Sequence, residues 1–138
     1  MCIESLELTD EATCAQFSPN GKFLVVALLD NTIKVLHCDS KKLFLSLYAH
    51  KLPVLCFDIS SDDALLVSGS VDKNVKIWGM DFGDVHRSIF AHSEAITAVK
   101  FVKGTHYFFS CGKDGVVKYF DADSVILLLI LVRGDHDL

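Results

Sequence analysis

The sequence predicts an all-β fold in which one four-stranded antiparallel sheet is repeated three times along the chain. Half of the 138 residues are hydrophobic (51%), so the chain can bury a sizeable core. Asp30, Asp72 and Asp114 recur at a constant interval of 42 residues, and several other residue classes share that interval with no gap. Within each interval short β-prone runs alternate with turn residues, and no run has a convincing helical period bounded by caps. The other recurring sets are Lys34, Lys76 and Lys118; Leu36, Trp78 and Phe120; Phe17, Ile59 and Phe101; and His50 and His92.

The middle copy shows the order of the elements most clearly. Ser61, Asp62 and Asp63 form a turn between the first and second strands, and a tight turn at 72–74 separates the second from the third. A loop at 81–84 leads to the fourth strand. Side chains along each strand alternate between the two faces of the sheet. The predicted strands are 53–60, 65–70, 75–79 and 86–90.

The first and third copies repeat this order. Residues 19–21 are typical of a hairpin turn in the first copy, and so are Asp114 and Gly115 in the third. The predicted strands are 13–17, 24–28, 32–37 and 43–48 in the first copy, and 96–102, 107–111, 116–120 and 125–131 in the third.

The size of the repeat identifies each copy as one β-propeller blade, because such blades have four antiparallel strands in about 40–45 residues. The three blades would occupy about 9–48, 49–90 and 91–131. Since closed propellers use about four to eight blades, we expect an incomplete ring: an open arc with two bare apolar faces. Further propeller blades or self-association would have to cover those faces. The apolar run 125–132 would be prone to aggregate if it stayed unpaired.

The composition narrows the possible functions. A net charge of −5 gives no general attraction to nucleic acid or anionic lipid. Five cysteines, an odd number with no C-x-x-C pair, argue against a disulfide framework or a zinc ribbon and favour a reducing intracellular compartment. The run 125–132 is too short for a membrane-spanning helix, and residues 1–9 do not resemble a signal peptide. We therefore expect no metal, no cofactor and no membrane contact.

The middle copy resembles a WD repeat. Ala49 and His50 stand for the usual Gly-His pair, the run 67–72 for the second strand and its turn, and the run 76–78 for the third strand. In the WD-repeat family a histidine, a hydroxyl, an aspartate and a tryptophan form a hydrogen-bonded tetrad inside the blade. The resemblance implies that the tetrad here is His50, Ser68, Asp72 and Trp78.

The other two copies match the tetrad only in part. The third copy keeps His92, Ser110 and Asp114, but Phe120 replaces the tryptophan, so the last hydrogen bond should be lost. The first copy keeps only Asp30 in its turn; Leu8, Val26 and Leu36 occupy the remaining places.

Several residues have the types found in catalytic or binding sites, and each also has a simpler structural explanation. His50, Ser68 and Asp72 have the types of a catalytic triad, but no nucleophile elbow or oxyanion hole accompanies them, so we expect a structural network and no enzyme activity. The three recurring lysines raise the hypothesis of RNA contact, which the acidic composition opposes. Met80 and Phe82 lie in a glycine-flanked loop and are candidate partner contacts, unless the loop folds back onto its own blade.

A narrower resemblance extends from about residue 17 to residue 123. The runs 43–48, 50–55, 76–79, 81–84, 111–115 and 121–123 are similar to the tandem-propeller WD-repeat subunits of the small-subunit processome. The similarity ends after Ser124. It implies a nucleolar, non-catalytic scaffold for protein–protein interaction in pre-ribosomal RNA processing, with other subunits as partners and only indirect RNA contact. A generic WD-repeat adaptor, such as a substrate receptor of a ubiquitin ligase, and a propeller hydrolase are the alternatives.

Overall fold

The computed structural model describes residues 5–48 and 50–134, and this part of the chain is all-β. Every predicted strand is observed, and its ends differ from the prediction by at most one residue. The prediction of fold class is therefore confirmed. The strands are β1 (Ala12–Phe17), β2 (Phe23–Leu28), β3 (Ile33–His37), β4 (Leu43–Leu47), β5 (Val54–Ile59), β6 (Leu65–Ser70), β7 (Asn74–Gly79), β8 (Val85–Phe90), β9 (Ile96–Phe101), β10 (Tyr107–Gly112), β11 (Val117–Asp121) and β12 (Ile126–Leu131).

The strands form three separate four-stranded antiparallel sheets, each made of consecutive strands. We call β1–β4 blade 1, β5–β8 blade 2 and β9–β12 blade 3. In each blade the pairing of the third strand with the fourth is interrupted by one bulge, between Val35 and Leu36, between Ile77 and Trp78, and between Tyr119 and Phe120. These pairs are 42 residues apart, so the sequence repeat is also a repeat of backbone geometry.

The blades stack face to face, and the core lies in the two junctions between them. We call the side of a blade that turns toward the preceding blade its front face and the other side its back face. The back face of blade 1 packs on the front face of blade 2, where Trp78 is 2% exposed. The back face of blade 2 packs on the front face of blade 3 in the same way. Because a fully buried large apolar side chain contributes about 1.5–3 kcal/mol, these junctions hold the arc together.

Hydrogen bonds between neighbouring innermost strands supplement this packing. Thr13 Oγ1 donates to the carbonyl of Val54 at 2.7 Å. Asp58 joins all three blades, since its carboxylate accepts from Gln16 Nε2 of blade 1 at 3.1 Å and from the backbone N–H of Phe101 of blade 3 at 2.7 Å. Polar contacts between neighbouring blades thus stabilise the inner edge of the arc at both junctions.

The arc formed by the described residues is open, as the blade count predicts. All six residues of β12 are exposed, so the apolar run in the third copy forms an edge strand. In the residues that the structure describes, no helix is long and apolar enough to cross a membrane.

Candidate functional site

A buried hydrogen-bonded network occupies the front side of blade 2. His50 lies in the loop before β5, Ser68 on β6, Asp72 in the turn after β6, and Trp78 on β7. His50 Nδ1 is 2.9 Å from Asp72 Oδ2 and His50 Nε2 is 2.6 Å from Ser68 Oγ. Trp78 Nε1 donates to Ser68 Oγ at 2.8 Å. Sequence reasoning named these four side chains, and the structure brings them together; Ala49, the other half of the Gly-His equivalent, lies outside the described residues.

The protonation of the network follows from its acceptors. A carboxylate can only accept, so Nδ1 of His50 carries the proton that reaches Asp72, and Nε2 accepts from the hydroxyl of Ser68. Burial lowers the pKa of His50, against the opposing effect of Asp72, and keeps the ring neutral. Burial also opposes ionisation of Asp72, but hydrogen bonds from His50 and from the N–H of Asn74 outweigh it and lower its pKa.

This arrangement has no free nucleophile. Ser68 is fully buried, its hydroxyl donates to His50, and its oxygen already accepts from Trp78. Asp72 also accepts from the backbone N–H groups of Lys51 and Asn74, which fixes the turn between β6 and β7. The network satisfies buried polar groups and ties one end of the blade together, and a substrate cannot reach the serine.

Blade 3 contains the shorter version of the network. His92 Nε2 is 2.8 Å from Ser110 Oγ, and His92 Nδ1 is 3.1 Å from the Asp114 carboxylate. Phe120 takes the place of the tryptophan and stacks on Phe108, with ring centroids 5.3 Å apart. An apolar contact therefore replaces the indole hydrogen bond.

Blade 1 keeps only the aspartate turn. Asp30 accepts from the N–H of Thr32 at 3.1 Å and from Thr9 Oγ1 at 2.7 Å. Leu8, at the position of the histidine, is 42% exposed. The hydroxyl of Thr9 thus takes up part of the hydrogen bonding that a histidine performs in the other blades.

The two candidate partner contacts differ, and one of them is corrected. Met80 is only 4% exposed and belongs to the core between blades 1 and 2, so the prediction that it is an exposed contact is wrong. Its backbone N–H still bonds to the carbonyl of Ala64, which extends the sheet and turns the side chain into the junction. Phe82 is 82% exposed at the tip of the loop and remains a candidate.

An ion-paired histidine joins blades 2 and 3, and sequence reasoning missed it. His106 Nδ1 is 2.9 Å from Asp123 and its Nε2 is 2.7 Å from Asp62. Partial burial opposes the charge, but the two carboxylates outweigh it and raise the pKa of His106. The pKa of Asp62 is lowered to about 2, chiefly by the hydrogen bond that its carboxylate accepts from Ser60 Oγ. The position 42 residues before His106 is Ala64, so the repeat carried no signal for this contact.

The recurring lysines engage their own blades. Lys34 Nζ donates to Ser46 Oγ at 3.1 Å and lies 4.9 Å from the ring centroid of Tyr48. Lys76 Nζ donates to Ser88 Oγ at 2.8 Å. Two of the three lysines of the hypothesised RNA stripe therefore have partners within the fold.

The chemistry of the cysteines and histidines also bears on ligand binding. Over residues 5–48 and 50–134, no group of three or more histidine, cysteine or acidic side chains could hold a metal ion. Burial raises the pKa of the Cys56 thiol to about 12, as befits a packed apolar side chain. Cys2, Asp135 and His136 lie outside the described residues.

Three stacked four-stranded sheets, with a buried His–Ser–Asp–Trp network in one and part of it in the next, define a WD-repeat β-propeller segment. The model of the WDR3 second beta-propeller domain matches residues 1–137. The chain belongs to that family, which confirms the resemblance drawn from its sequence.

Individual relatives agree with the family. U3 small nucleolar RNA-associated protein 12 of Saccharomyces cerevisiae is 56% identical over 54 residues, which are 39% of this chain and 6% of the yeast protein. The human WD repeat-containing protein 3 is 53% identical over 50 residues, 36% of this chain and 5% of that protein. The chain thus spans a small fraction of the length of these relatives.

A solved structure supports the fold. The crystal structure of RRP9 WD40 repeats superposes with a TM-score of 0.89 at 24% sequence identity, covering 94% of this chain and 41% of that one. The curvature of the three-blade arc is therefore that of a known propeller.

Proposed function

We propose that this chain is a non-catalytic interaction scaffold in ribosome biogenesis, docking other protein subunits of a small-subunit processome assembly in the nucleolus. The observation that carries the proposal is membership of the WDR3 second beta-propeller family across residues 1–137. The name of the yeast relative links it to the U3 small nucleolar RNA, which suggests an assembly that contains this RNA.

The site geometry supports a scaffold. The His50 network is buried and fully hydrogen-bonded, and such networks make a blade rigid. The side chain best placed to meet a partner is Phe82, at the tip of the β7–β8 loop. Exposed aromatic side chains on short loops of a rigid scaffold are frequent contact residues.

RNA contact is proposed to be indirect. The net charge is −5, and Lys34 and Lys76 are bonded to serines of their own blades. Direct binding to a phosphate backbone requires several free basic side chains, since each neutralised phosphate adds to the affinity. Association with the U3 small nucleolar RNA would therefore depend on protein subunits.

The test is affinity purification of the tagged whole chain from cultured eukaryotic cells. We expect U3 small nucleolar RNA and processome proteins in the eluate and nucleolar staining of the tagged chain. Recovery of cullin-ligase adaptors without this RNA would favour the ubiquitin-ligase alternative and contradict the proposal.

A matched pair of variants tests the contact. Phe82→Ser should lower recovery of the RNA by about tenfold, equivalent to ~1.4 kcal/mol of binding free energy. Phe90→Ser removes another exposed aromatic ring from the same blade, 69% exposed at the end of β8, and should leave recovery unchanged. Equal recovery with both variants would exclude Phe82 as the contact while leaving the wild-type result to decide the assembly.

A further inference from the structure

Each junction between blades opens as a groove on the side of the arc where the first strand of a blade turns into the second. We call the groove between blades 1 and 2 the first groove and the groove between blades 2 and 3 the second groove. The first groove has a volume of about 300 Å³. The residues that line it include, from blade 1, Asn20, Phe23 and Phe44 and, from blade 2, Asp63, Ala64 and Asp81.

The second groove is filled by side chains of the chain itself. His106 lies between Asp62 and Asp123, with ring nitrogens 2.7 Å and 2.9 Å from the two carboxylates. Beside Asp123 the groove is also lined by His86 and Arg87. Three basic side chains therefore accompany the two carboxylates, and the charge of the second groove is balanced within the fold.

The first groove has apolar residues in place of these basic side chains. They stand 42 positions before the basic residues: Ala64, Phe44 and Leu45 for His106, His86 and Arg87. Because the side chain of Ala64 ends at Cβ, the volume that the imidazole fills in the second groove is open in the first. Phe44 is 36% exposed and stacks on Phe23, with ring centroids 5.0 Å apart. An aromatic wall thus borders the open volume.

The first groove nevertheless keeps two carboxylates. Asp81 is the equivalent of Asp123, and Asp63 is a second acid that also lines the groove. The backbone N–H of Met80 donates to the carbonyl of Ala64 at 3.0 Å, so the two acids, each next in sequence to one of these residues, flank the same small patch. Within the described residues, neither Asp63 nor Asp81 has an ion-pair partner.

The polar groups of the first groove retain hydrogen-bonding capacity. The Oδ1 atom of Asp81 accepts from the N–H of Phe82 at 2.9 Å, and the Oδ1 atom of Asp63 accepts from the N–H of Asn20 at 3.2 Å. Each carboxylate has a second oxygen that can accept from a cation. The side-chain oxygen of Asn20 accepts from the N–H of Lys22 at 2.9 Å, which leaves the Nδ2 group of this lining residue as a donor.

We propose that the first groove binds an arginine side chain presented by a partner protein. The guanidinium would take the place that the ring of His106 takes in the second groove, donating to Asp63 and Asp81 and stacking on Phe44. A planar guanidinium suits this site better than an ammonium group, because it donates in a fork and stacks on aromatic rings. The donor at Asn20 fits a backbone carbonyl of the partner. The inference rests on the groove and holds whichever assembly the chain serves.

A short peptide tests the charge and shape of the occupant. The probe is a capped alanine–arginine–alanine tripeptide, titrated into the isotope-labelled whole chain and followed by the backbone amide shifts in NMR. We expect saturable shifts at Asn20, Ala64 and Asp81, with millimolar affinity. Citrulline in place of arginine keeps the shape but removes the charge, and it should weaken binding by at least about tenfold. Lysine should weaken it by about threefold.

A variant that fills the groove tests the position of the guanidinium. Ala64→His introduces an imidazole where His106 lies in the next blade, so the arginine probe should bind at least about tenfold more weakly. Asn20→Asp combined with Ala64→His copies the whole bridge of the second groove and should have the same effect. A thermal unfolding transition at or above the wild-type Tm would show that the double variant is folded.

A matched pair of charge variants tests the carboxylates. Asp81→Asn keeps the oxygen that accepts from Phe82 and removes only the charge, so it should weaken binding of the arginine probe by about threefold. Glu94→Gln removes the same charge from an exposed residue before β9, at the opposite ends of the strands, and should leave binding unchanged.

The outcomes decide the proposal. Shifts at the groove that require arginine and disappear in Ala64→His support it. It is overturned if the probe causes no shifts at the groove, if the citrulline peptide binds equally well, or if Ala64→His binds as the wild type does. Equal weakening by Asp81→Asn and Glu94→Gln would also overturn it, since only a general attraction to an acidic chain would remain. The peptide meets the purified chain alone, so its failure to bind leaves the result of the affinity purification unaffected.

Discussion

Ser68 and Ser110 occupy equivalent positions, but Ser68 bonds two side chains and Ser110 bonds one. Ser68→Ala should destabilise the protein by about 2–4 kcal/mol, because His50 Nε2 and Trp78 Nε1 would both be buried without a partner. Ser110→Ala should cost only about 1–2 kcal/mol, since only His92 Nε2 loses its partner. Urea unfolding followed by tryptophan fluorescence and circular dichroism measures both, and equal losses would contradict the two-bond role of Ser68.

His106 makes the junction between blades 2 and 3 sensitive to pH. Its pKa is raised in the folded protein, so its stabilising effect is complete below its ordinary pKa of about 6.5 and is lost as the pH rises through the folded value. Asp62 and Asp123 face it, and the lowered pKa of Asp62 keeps that carboxylate ionised throughout that range. We expect His106→Gln to lower the free energy of unfolding more at about pH 6 than at about pH 9.

A double-mutant cycle checks the cause. If the effect arises from the ion pairs, Asp62→Asn should remove part of the pH dependence from the wild-type background, where Asp123 still pairs with His106, and little from the His106→Gln background. The same difference between wild type and His106→Gln at both pH values would show that His106 contributes only neutral contacts.

At the scale of the elements, Gly69 sets the distance between β6 and β9. Gly69→Ala should destabilise the protein by about 1–3 kcal/mol, because the added methyl group would overlap Ile96 and Cys56. Ala27 and Val54 are the equivalents of Gly69 and Ile96 in the core between blades 1 and 2. Ile96→Val combined with Gly69→Ala recreates that pair of residues and should recover part of the loss. Thermal unfolding of the single and double variants provides the comparison; an undisturbed single variant would show that the junction can move apart freely.

The strands were predictable because their boundaries are local. Turn residues such as Asp62 and Asp72 bond to their own backbone two residues on, so the chain must reverse there whatever surrounds it. The burial of Met80, in contrast, could not be predicted from neighbouring residues in the sequence. Glycines at 79 and 83 indicate an exposed loop, whereas burial of the side chain is decided by blade 1.

The repeat did contain an indication that the Met80 side chain is buried. Its equivalents Cys38 and Ala122 are also uncharged and compact, and Ala122 is 4% exposed in the second junction. The types of the tetrad residues followed from the resemblance, but the bridge at His106 depends on three loops from two blades. Neither period nor motif encodes such a contact, so only the structure could show it.

The polar side-chain contacts across the junctions connect residues no more than 44 positions apart, the separation of His106 and Asp62. A ribosome would therefore release each blade's binding surface just before the blade that covers it. Cotranslational folding of these three blades could therefore proceed one sheet at a time.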